Sequence, residues 1–208
     1  MSFTDILNEF VLLWAVIDPI GTVPVFLAVT VGMTATDKKR LALRSVVVAS
    51  CVLFFFAIVG EALLKAMSLP LTSFQVAGGI ILFIFATKMI FGSSKPEDEI
   101  SQIDRHSDLA IFPLAMPSIA SPGAILAAIL MTDSHRHSFT EQLVSMTLLC
   151  VVLLSTFMML LFASKIHTVI GNAGASVASR VMGLLLAAVA VDHIIKGIIG
   201  QLNSLGVV

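Results

Sequence analysis

The chain has 208 residues, of which 58% are hydrophobic and 12% are charged, with a formal net charge of −1 and a mean hydropathy of +1.04. This composition excludes an ordinary soluble domain and indicates an integral membrane protein. A near-neutral charge without a basic stripe argues against a nucleic-acid partner. Because the sequence contains no phosphate loop, zinc signature or nucleophile elbow, we expect neither an enzyme nor a protein with a bound metal or cofactor.

Six apolar runs predict six membrane-spanning helices, because about 20 apolar residues cross a hydrocarbon core about 30 Å thick. No removable signal peptide is expected before the first run, which therefore stays as a helix of the protein. The predicted all-α membrane protein has its spans at residues 10–33, 41–64, 71–91, 109–131, 143–163 and 178–199.

Lysine and arginine residues predict how the chain is oriented. If the six spans alternate in direction, Lys65, Arg136 and Lys196 lie on one side of the membrane. The other side, which is then cytoplasmic by the positive-inside rule, receives Lys38, Lys39, Arg40, Arg44, Lys88, Lys95, Arg105, Lys165 and Arg180. We therefore expect both termini to face the periplasm.

The two halves of the sequence resemble each other. A shift of 104 residues aligns Gly79 with Gly183, and with a one-residue gap Pro19 aligns with Pro122. Since each half holds three predicted helices, the second half must be inverted relative to the first, as in many secondary transporters. The predicted organisation is a three-helix repeat at 1–92, a polar linker at 93–108 and a second three-helix repeat at 109–208.

Helices one and four each contain an interruption. In "VIDPIGTVPVF", Asp18 precedes Pro19, and in the second half Ser121 precedes Pro122. Aspartate and serine are strong N-cap residues, and proline is favoured at the first position of a helix. Each broken helix is therefore predicted to restart within the bilayer, which is stable only where protein buries the break or a wet cavity adjoins it.

The two restarts predict a binding site. A helix N-terminus attracts anions, and in the second half only the neutral Ser118 and Ser121 lie there, which leaves its amide donors to a substrate carboxylate. In the first half Asp18 could bind an amine or exchange a proton or cation. Such a pair suits a small zwitterion. The predicted substrate-binding residues, with Asp18 also coupling the ion, are Asp18, Pro19, Gly21, Thr22, Ser118, Ser121, Pro122 and Gly123.

The alternative is a non-transporting membrane scaffold in which Asp18 is only a helix cap. A dry, filled junction between the breaks would favour the scaffold, and a water-filled cavity lined by Asp18 would favour transport. A small-solute exporter with the same architecture is a further alternative, because the direction of transport depends on gradients.

Other polar and small residues have simpler interpretations. Glu61 and Lys65, like Asp192 and Lys196, are spaced to form ion pairs on one helix face. His193 is either an ordinary polar neighbour of the second pair or part of a proton relay. The His-x-His at residues 135–137 has too few further ligands for a metal site. The glycines at positions 78, 79 and 183 favour close helix packing.

The whole chain resembles the MarC family of bacterial inner-membrane proteins. The segments that carry this resemblance are "IDPIGTVPVF", "VAGGIILFIFATKMIF", "FPLAMPSIASPGAI" and "SRVMGLLLAAVAVDHIIKGI". The resemblance implies six helices and, because some members are classed as neutral amino acid transporters, transport of glycine- or alanine-like solutes driven by a proton or sodium gradient. A location in the bacterial inner membrane is implied in the same way.

The resemblance also maps individual residues. The family's Asp-Pro-x-Gly motif corresponds to Asp18, Pro19 and Gly21, and its Pro-Gly turn to Pro122 and Gly123. Three positions depart from the family pattern: Thr22 occupies a position where Asn is common, Ser121 one where Gly is usual, and Asp192 one that resembles a Gln position. The first two departures alter the predicted site itself.

Overall fold

The computed structural model describes residues 2–91, 108–134 and 137–206, and within these residues the fold is all-helical, as predicted. The predicted linker 93–108, apart from Asp108, lies outside the described residues, as do His135 and Arg136. The helices, numbered in chain order, are α1 (Phe3–Ile17), α2 (Pro19–Val29), α3 (Ala35–Ala66), α4 (Leu71–Phe91), α5 (Ala110–Ile119), α6 (Pro122–Met131), α7 (Phe139–Leu161) and α8 (Ala163–Ser204).

Five stretches of the described chain are long and apolar enough to cross a membrane. They are Phe3–Val29, which combines α1 and α2, then Ala35–Ala66, Leu71–Phe91, Phe139–Leu161 and Ser176–Ser204. The pair α5 and α6, bent by 59° at its break, provides a sixth if it counts as one span. The structure thus agrees with the predicted multi-pass membrane protein that has broken helices one and four.

The first span begins earlier than hydropathy predicts, and the helix that contains the last span begins well before that span. Ser2 and Asp5 form reciprocal capping hydrogen bonds, so α1 starts at Phe3 instead of at residue 10. The last helix, α8, starts at Ala163 and is kinked at Gly171, where φ is 65°. Glycine adopts this angle without the steric conflict that a Cβ atom would cause. Both helices continue through polar residues outside the apolar runs. Such residues lower the hydropathy of a segment without preventing it from being helical, so hydropathy alone places the helix ends too far in.

Two contacts show that α5 and α6 together cross the bundle. Near the start of α3, Arg44 pairs with Asp108 at 2.6 Å, just before α5. Near the end of α3, Glu61 accepts the backbone hydrogen bond of Ser134 at 2.9 Å, just after α6. Arg44 and Glu61 are about 17 positions apart on one helix, or roughly 25 Å. The pair therefore runs alongside α3 for nearly the thickness of a bilayer core, as expected of a broken span and not of a re-entrant loop.

Side-chain contacts also show which helix ends lie on the same face of the bundle. Glu9 near the start of α1 accepts a hydrogen bond from Ser145 near the start of α7. Thr72 at the start of α4 donates to Gln201 at the end of α8. Together with the Glu61–Ser134 contact, these pairs define one face, here called the terminal face, on which both ends of the described chain lie. The opposite face, which carries Arg44 and Asp108, is called the linker face.

The two broken spans differ from the other helices in burial. In the Phe3–Val29 span, 61% of the residues in its most apolar window are buried, compared with 22% to 33% in the other four spans. Buried side chains of α1, α2 and α5, among them Ile17, Phe26 and Leu114, contribute to one hydrophobic core. The breaks therefore lie inside the protein, where their backbone groups are shielded from lipid.

Helices α4 and α8 approach each other closely at glycines, as predicted from the sequence. A Cβ atom on Gly79 would lie 3.0 Å from the carbonyl oxygen of Ala190, and one on Gly183 would lie 3.1 Å from that of Ala86. Small residues allow such backbone proximity, which is a common way for helices to associate in membranes. This prediction of close packing is confirmed.

Most contacts between helices have a counterpart between the corresponding helices of the other half of the chain. If α1 to α4 correspond to α5 to α8, the contact of α2 with α8 matches that of α6 with α4. In the same way, α3 with α5 matches α7 with α1, and α3 with α6 matches α7 with α2. The inverted repeat stays a prediction, and these matched contacts support it.

Candidate functional site

Asp18 both ends α1 and begins α2. Its backbone is left-handed, with φ 49° and ψ 67°, a conformation that aspartate tolerates better than most residues. Its N–H donates to the carbonyl of Trp14 at 2.9 Å, and its carboxylate Oδ1 accepts from the N–H of Gly21 at 3.0 Å. A Cβ atom on Gly21 would overlap this carboxylate. The predicted N-cap, followed by Pro19 at the first helical position, is confirmed.

Ser121 performs the corresponding role for α6 and also connects it to α1. Its hydroxyl accepts from the N–H of Ala124 at 3.1 Å, with Pro122 at the first helical position, as predicted. The same hydroxyl donates to the carbonyl of Val16 at 2.7 Å. Carbonyls in the last turn of a helix lack partners within that helix, so Ser121 satisfies one of those left by the end of α1.

A second hydrogen-bonded connection joins the two breaks. The hydroxyl of Ser118, in α5, donates to the hydroxyl of Thr22 at 3.1 Å. The Thr22 hydroxyl in turn donates to the carbonyl oxygen of Asp18 at 3.0 Å. Residues that lie about 100 positions apart in the sequence are thereby brought into contact. We call this group of Asp18, Thr22, Ser118 and Ser121 the junction.

The junction is closed to solvent in this structure. Asp18 is 2% exposed, and Thr22, Ser118 and Ser121 are completely buried. Removing a carboxylate from water costs several kcal/mol unless nearby groups compensate. Here the carboxylate of Asp18 accepts a hydrogen bond from Gly21 at the positive end of α2.

The predicted site residues on α6 lie beside the junction but do not face an open space. Pro122 starts the helix, and Gly123 packs against α4 and α1. A Cβ atom on Gly123 would lie 2.5 Å from Leu82 and 3.6 Å from Val16. In this conformation Gly123 therefore allows close packing, and the first turn of α6 is covered by neighbouring side chains.

Two further polar groups were not singled out from the sequence. Gln75 on α4 is 1% exposed, and its amide lies 3.3 Å from Nδ1 of His193. Asp133, after α6, is also 1% exposed and lines a cavity of about 180 Å³ together with Glu61 and Lys65. A single amide within the apolar run "LTSFQVAGG" was the signal that could have identified Gln75.

Both predicted ion pairs are present. Lys65 contacts Glu61 at 2.5 Å, and Lys196 contacts Asp192 at 2.7 Å, each across one helical turn. Ser134 donates to Glu61 through both its N–H and its hydroxyl, so the first pair also anchors the end of α6. Within the described part of the chain, no group of three or more His, Cys, Asp or Glu side chains is arranged to hold a metal ion.

Comparison with known proteins places these features in a family. The sequence profile described as "MarC family integral membrane protein" matches residues 3–202. A UPF0056 membrane protein of Bacillus subtilis, YvbG, is 31% identical over 206 residues, covering 97% of each chain. A UPF0056 membrane protein of Methanocaldococcus jannaschii is 32% identical over 205 residues, covering 97% of this chain and 100% of the relative. No solved structure matches the chain.

Proposed function

The chain belongs to the MarC family of integral membrane proteins, and from its junction we propose that it is a secondary transporter of small neutral amino acids. The observation that carries this proposal is the meeting of two broken helices around Asp18, which is 2% exposed. At one helix start lies a carboxylate, and at the other lie the neutral hydroxyls of Ser118 and Ser121. This asymmetry suits a zwitterion such as glycine or alanine.

The closed junction fits a transporter between its two open states. Alternating access exposes a central site first to one side of the membrane and then to the other, so the site is closed in between. The junction residues lie where the two broken spans meet, inside the bundle. The helix contacts that have counterparts in the other half of the chain support such a mechanism. An inverted repeat would give the protein two related open forms, one toward each side of the membrane.

The scaffold alternative accounts for the closure but not for the residues. A dry, filled junction was the arrangement expected of a scaffold, and Gly123 packed against Leu82 agrees with it. A scaffold, however, needs only packing, for which apolar side chains serve as well as or better than a buried ionisable group. Ionisable residues within membranes are costly and most often functional, so Asp18 favours transport.

The proposed coupling depends on Asp18. When the junction opens, its carboxylate gains access to water and can bind or release a proton or a sodium ion. Pro24 within α2, together with Pro113 and Pro117 in α5, removes backbone hydrogen bonds from the segments next to the breaks. These are the segments that we propose to move.

The proposed location is the bacterial inner membrane, with both termini in the periplasm. This orientation rests on the lysines and arginines, and the structure adds that both ends of the described chain lie on the terminal face. The proposal includes no enzymatic reaction, cofactor or nucleic-acid partner. Import and export use the same architecture, so the direction of transport follows from the gradient imposed.

The test is uptake of labelled alanine and glycine into proteoliposomes, with and without a proton or sodium gradient. We expect gradient-driven uptake by the unmodified protein and its loss in Asp18→Asn. Asp37→Asn is the matched control, because it removes the same charge from an exposed helix start, and it should retain uptake. Absence of uptake by correctly inserted, unmodified protein would overturn the proposal and favour the scaffold.

A further inference from the structure

A separate cavity of about 160 Å³ lies between the junction and the terminal face. Its apolar wall includes Leu12 of α1 and Leu130 of α6. Its polar lining comes from α4, from α8 and from the connection between α6 and α7, and consists of Gln75, His137, His193 and Lys196. The cavity thus gathers side chains from both halves of the chain.

The polar groups of this cavity are held in defined positions. Gln75 is almost completely buried, and its amide nitrogen lies 3.3 Å from Nδ1 of His193. This contact joins α4 to α8 and fixes both side chains in the wall of the cavity.

Lys196 adds a positive charge to the same cavity. Its ammonium pairs with Asp192 at 2.7 Å, and an ammonium has three N–H donors, so this contact can be shared with a second acceptor. The described lining therefore combines the cation of Lys196 with uncharged polar and apolar side chains.

We propose that this cavity is a second binding site, distinct from the junction, that takes the carboxylate group of a small solute. Lys196 supplies the charge for that carboxylate, and Gln75 and His193 form the polar wall beside it. The cavity volume of about 160 Å³ is well above the roughly 10–15 Å³ that one water needs, so it has room for a solute as small as alanine.

The position of the cavity relates it to the proposed transport route. Helix α6 begins at the junction with Ser121 and lines the cavity from Ala127 onward, roughly 9 Å further along its axis. The solute would occupy this site between the terminal face and the junction. The identity of the solute rests on the proposed function, whereas the site itself rests only on the cavity and its lining.

The experiment measures binding by calorimetry to the full chain in lipid nanodiscs, with acetate, alanine and ethylamine as the probes. We expect acetate and alanine to bind and ethylamine not to bind. Lys196→Ala should weaken binding of acetate about tenfold or more, and Lys196→Arg should restore it in part. Lys65→Ala is the matched control, because Lys65 is equally exposed and also pairs with an acid one turn earlier.

Three outcomes would overturn this site: no binding of acetate and alanine, equal weakening by Lys65→Ala, or binding abolished by Asp18→Asn but unaffected by Lys196→Ala. Failure of the proposed function gives a different result. Acetate binding that depends on Lys196, in a protein that shows no uptake, would retain this cavity site and overturn transport. Uptake that depends on Asp18, without any effect of Lys196→Ala on binding, would overturn the cavity site alone.

Discussion

At the scale of single residues, capping side chains in this protein do more than end helices. Asp18 caps α2 with its side chain while its own N–H closes the last turn of α1. Ser121 caps α6 and at the same time donates to the carbonyl of Val16. Each residue thus fixes the geometry of a break and joins it to its surroundings, which explains how polar groups are accommodated in the core of the bundle.

Ser121→Ala should destabilise the protein more than Ser138→Ala does. Both variants remove an N-cap, at a cost of about 1 kcal/mol each. Only the first also removes the donor to the buried carbonyl of Val16, which adds about 1–3 kcal/mol. Ser138 is the matched control because it caps α7 at an exposed position. The free energies of unfolding, measured by denaturation in detergent micelles, should differ, and equal values would contradict a role for the link to Val16.

At the scale of helices, α4 and α8 pack more extensively than any other pair of described helices, and small residues set their separation. Gly79 lies against Ala190 and Ile194, whereas Gly183 lies against Ala86 and Met89. A larger side chain at either position must displace backbone atoms, which cannot move as a flexible side chain can. The same helices position Gln75 and His193, so the spacing of this pair also shapes the second cavity.

Gly79→Val should separate α4 from α8 and lower the free energy of unfolding by about 1–3 kcal/mol. Ala77→Val introduces the same side chain two residues earlier, at an exposed position of α4, and should change stability by less than about 0.5 kcal/mol. Thermal denaturation followed by circular dichroism would compare the two variants. A Gly79→Val protein as stable as Ala77→Val would show that backbone proximity at this glycine is not required.

At the scale of the whole molecule, the order of the spans determines which loops share a side. The contacts Glu9–Ser145 and Glu61–Ser134 place the start of α1, the end of α3 and the connection between α6 and α7 on the terminal face. The contact of Arg44 with Asp108 places the starts of α3 and α5 on the linker face. Six spans that alternate in direction satisfy all three contacts.

Single-cysteine labelling tests this topology and its orientation together. In a background without Cys51 and Cys150, a cysteine at position 34 should react with an impermeant thiol reagent only from the cytoplasm. Cysteines at positions 68 and 204 should react only from the periplasm, because they lie on the terminal face. Reaction of positions 34 and 68 from the same side would contradict a spanning α3. Reversal of both patterns would leave the fold intact and overturn the predicted orientation.

The sequence by itself determined the features that depend on neighbours within a turn or two. The apolar runs predicted the spans, the pairs Asp18–Pro19 and Ser121–Pro122 predicted where helices restart, and the spacing of Asp192 and Lys196 predicted an ion pair. Capping, proline geometry and i,i+4 contacts are local, so their physics can be read from a short segment.

Only the tertiary structure decided which of these local features meet and how far they are buried. The bond of Ser118 to Thr22 joins residues 96 positions apart, and that of Gln75 to His193 joins residues 118 positions apart. Beside the junction, Leu82 of α4 packs against Gly123, a contact that no pattern within α6 predicts. Such contacts depend on which helix faces pack together, and in an almost uniformly apolar chain hydrophobicity identifies the spans without specifying their neighbours.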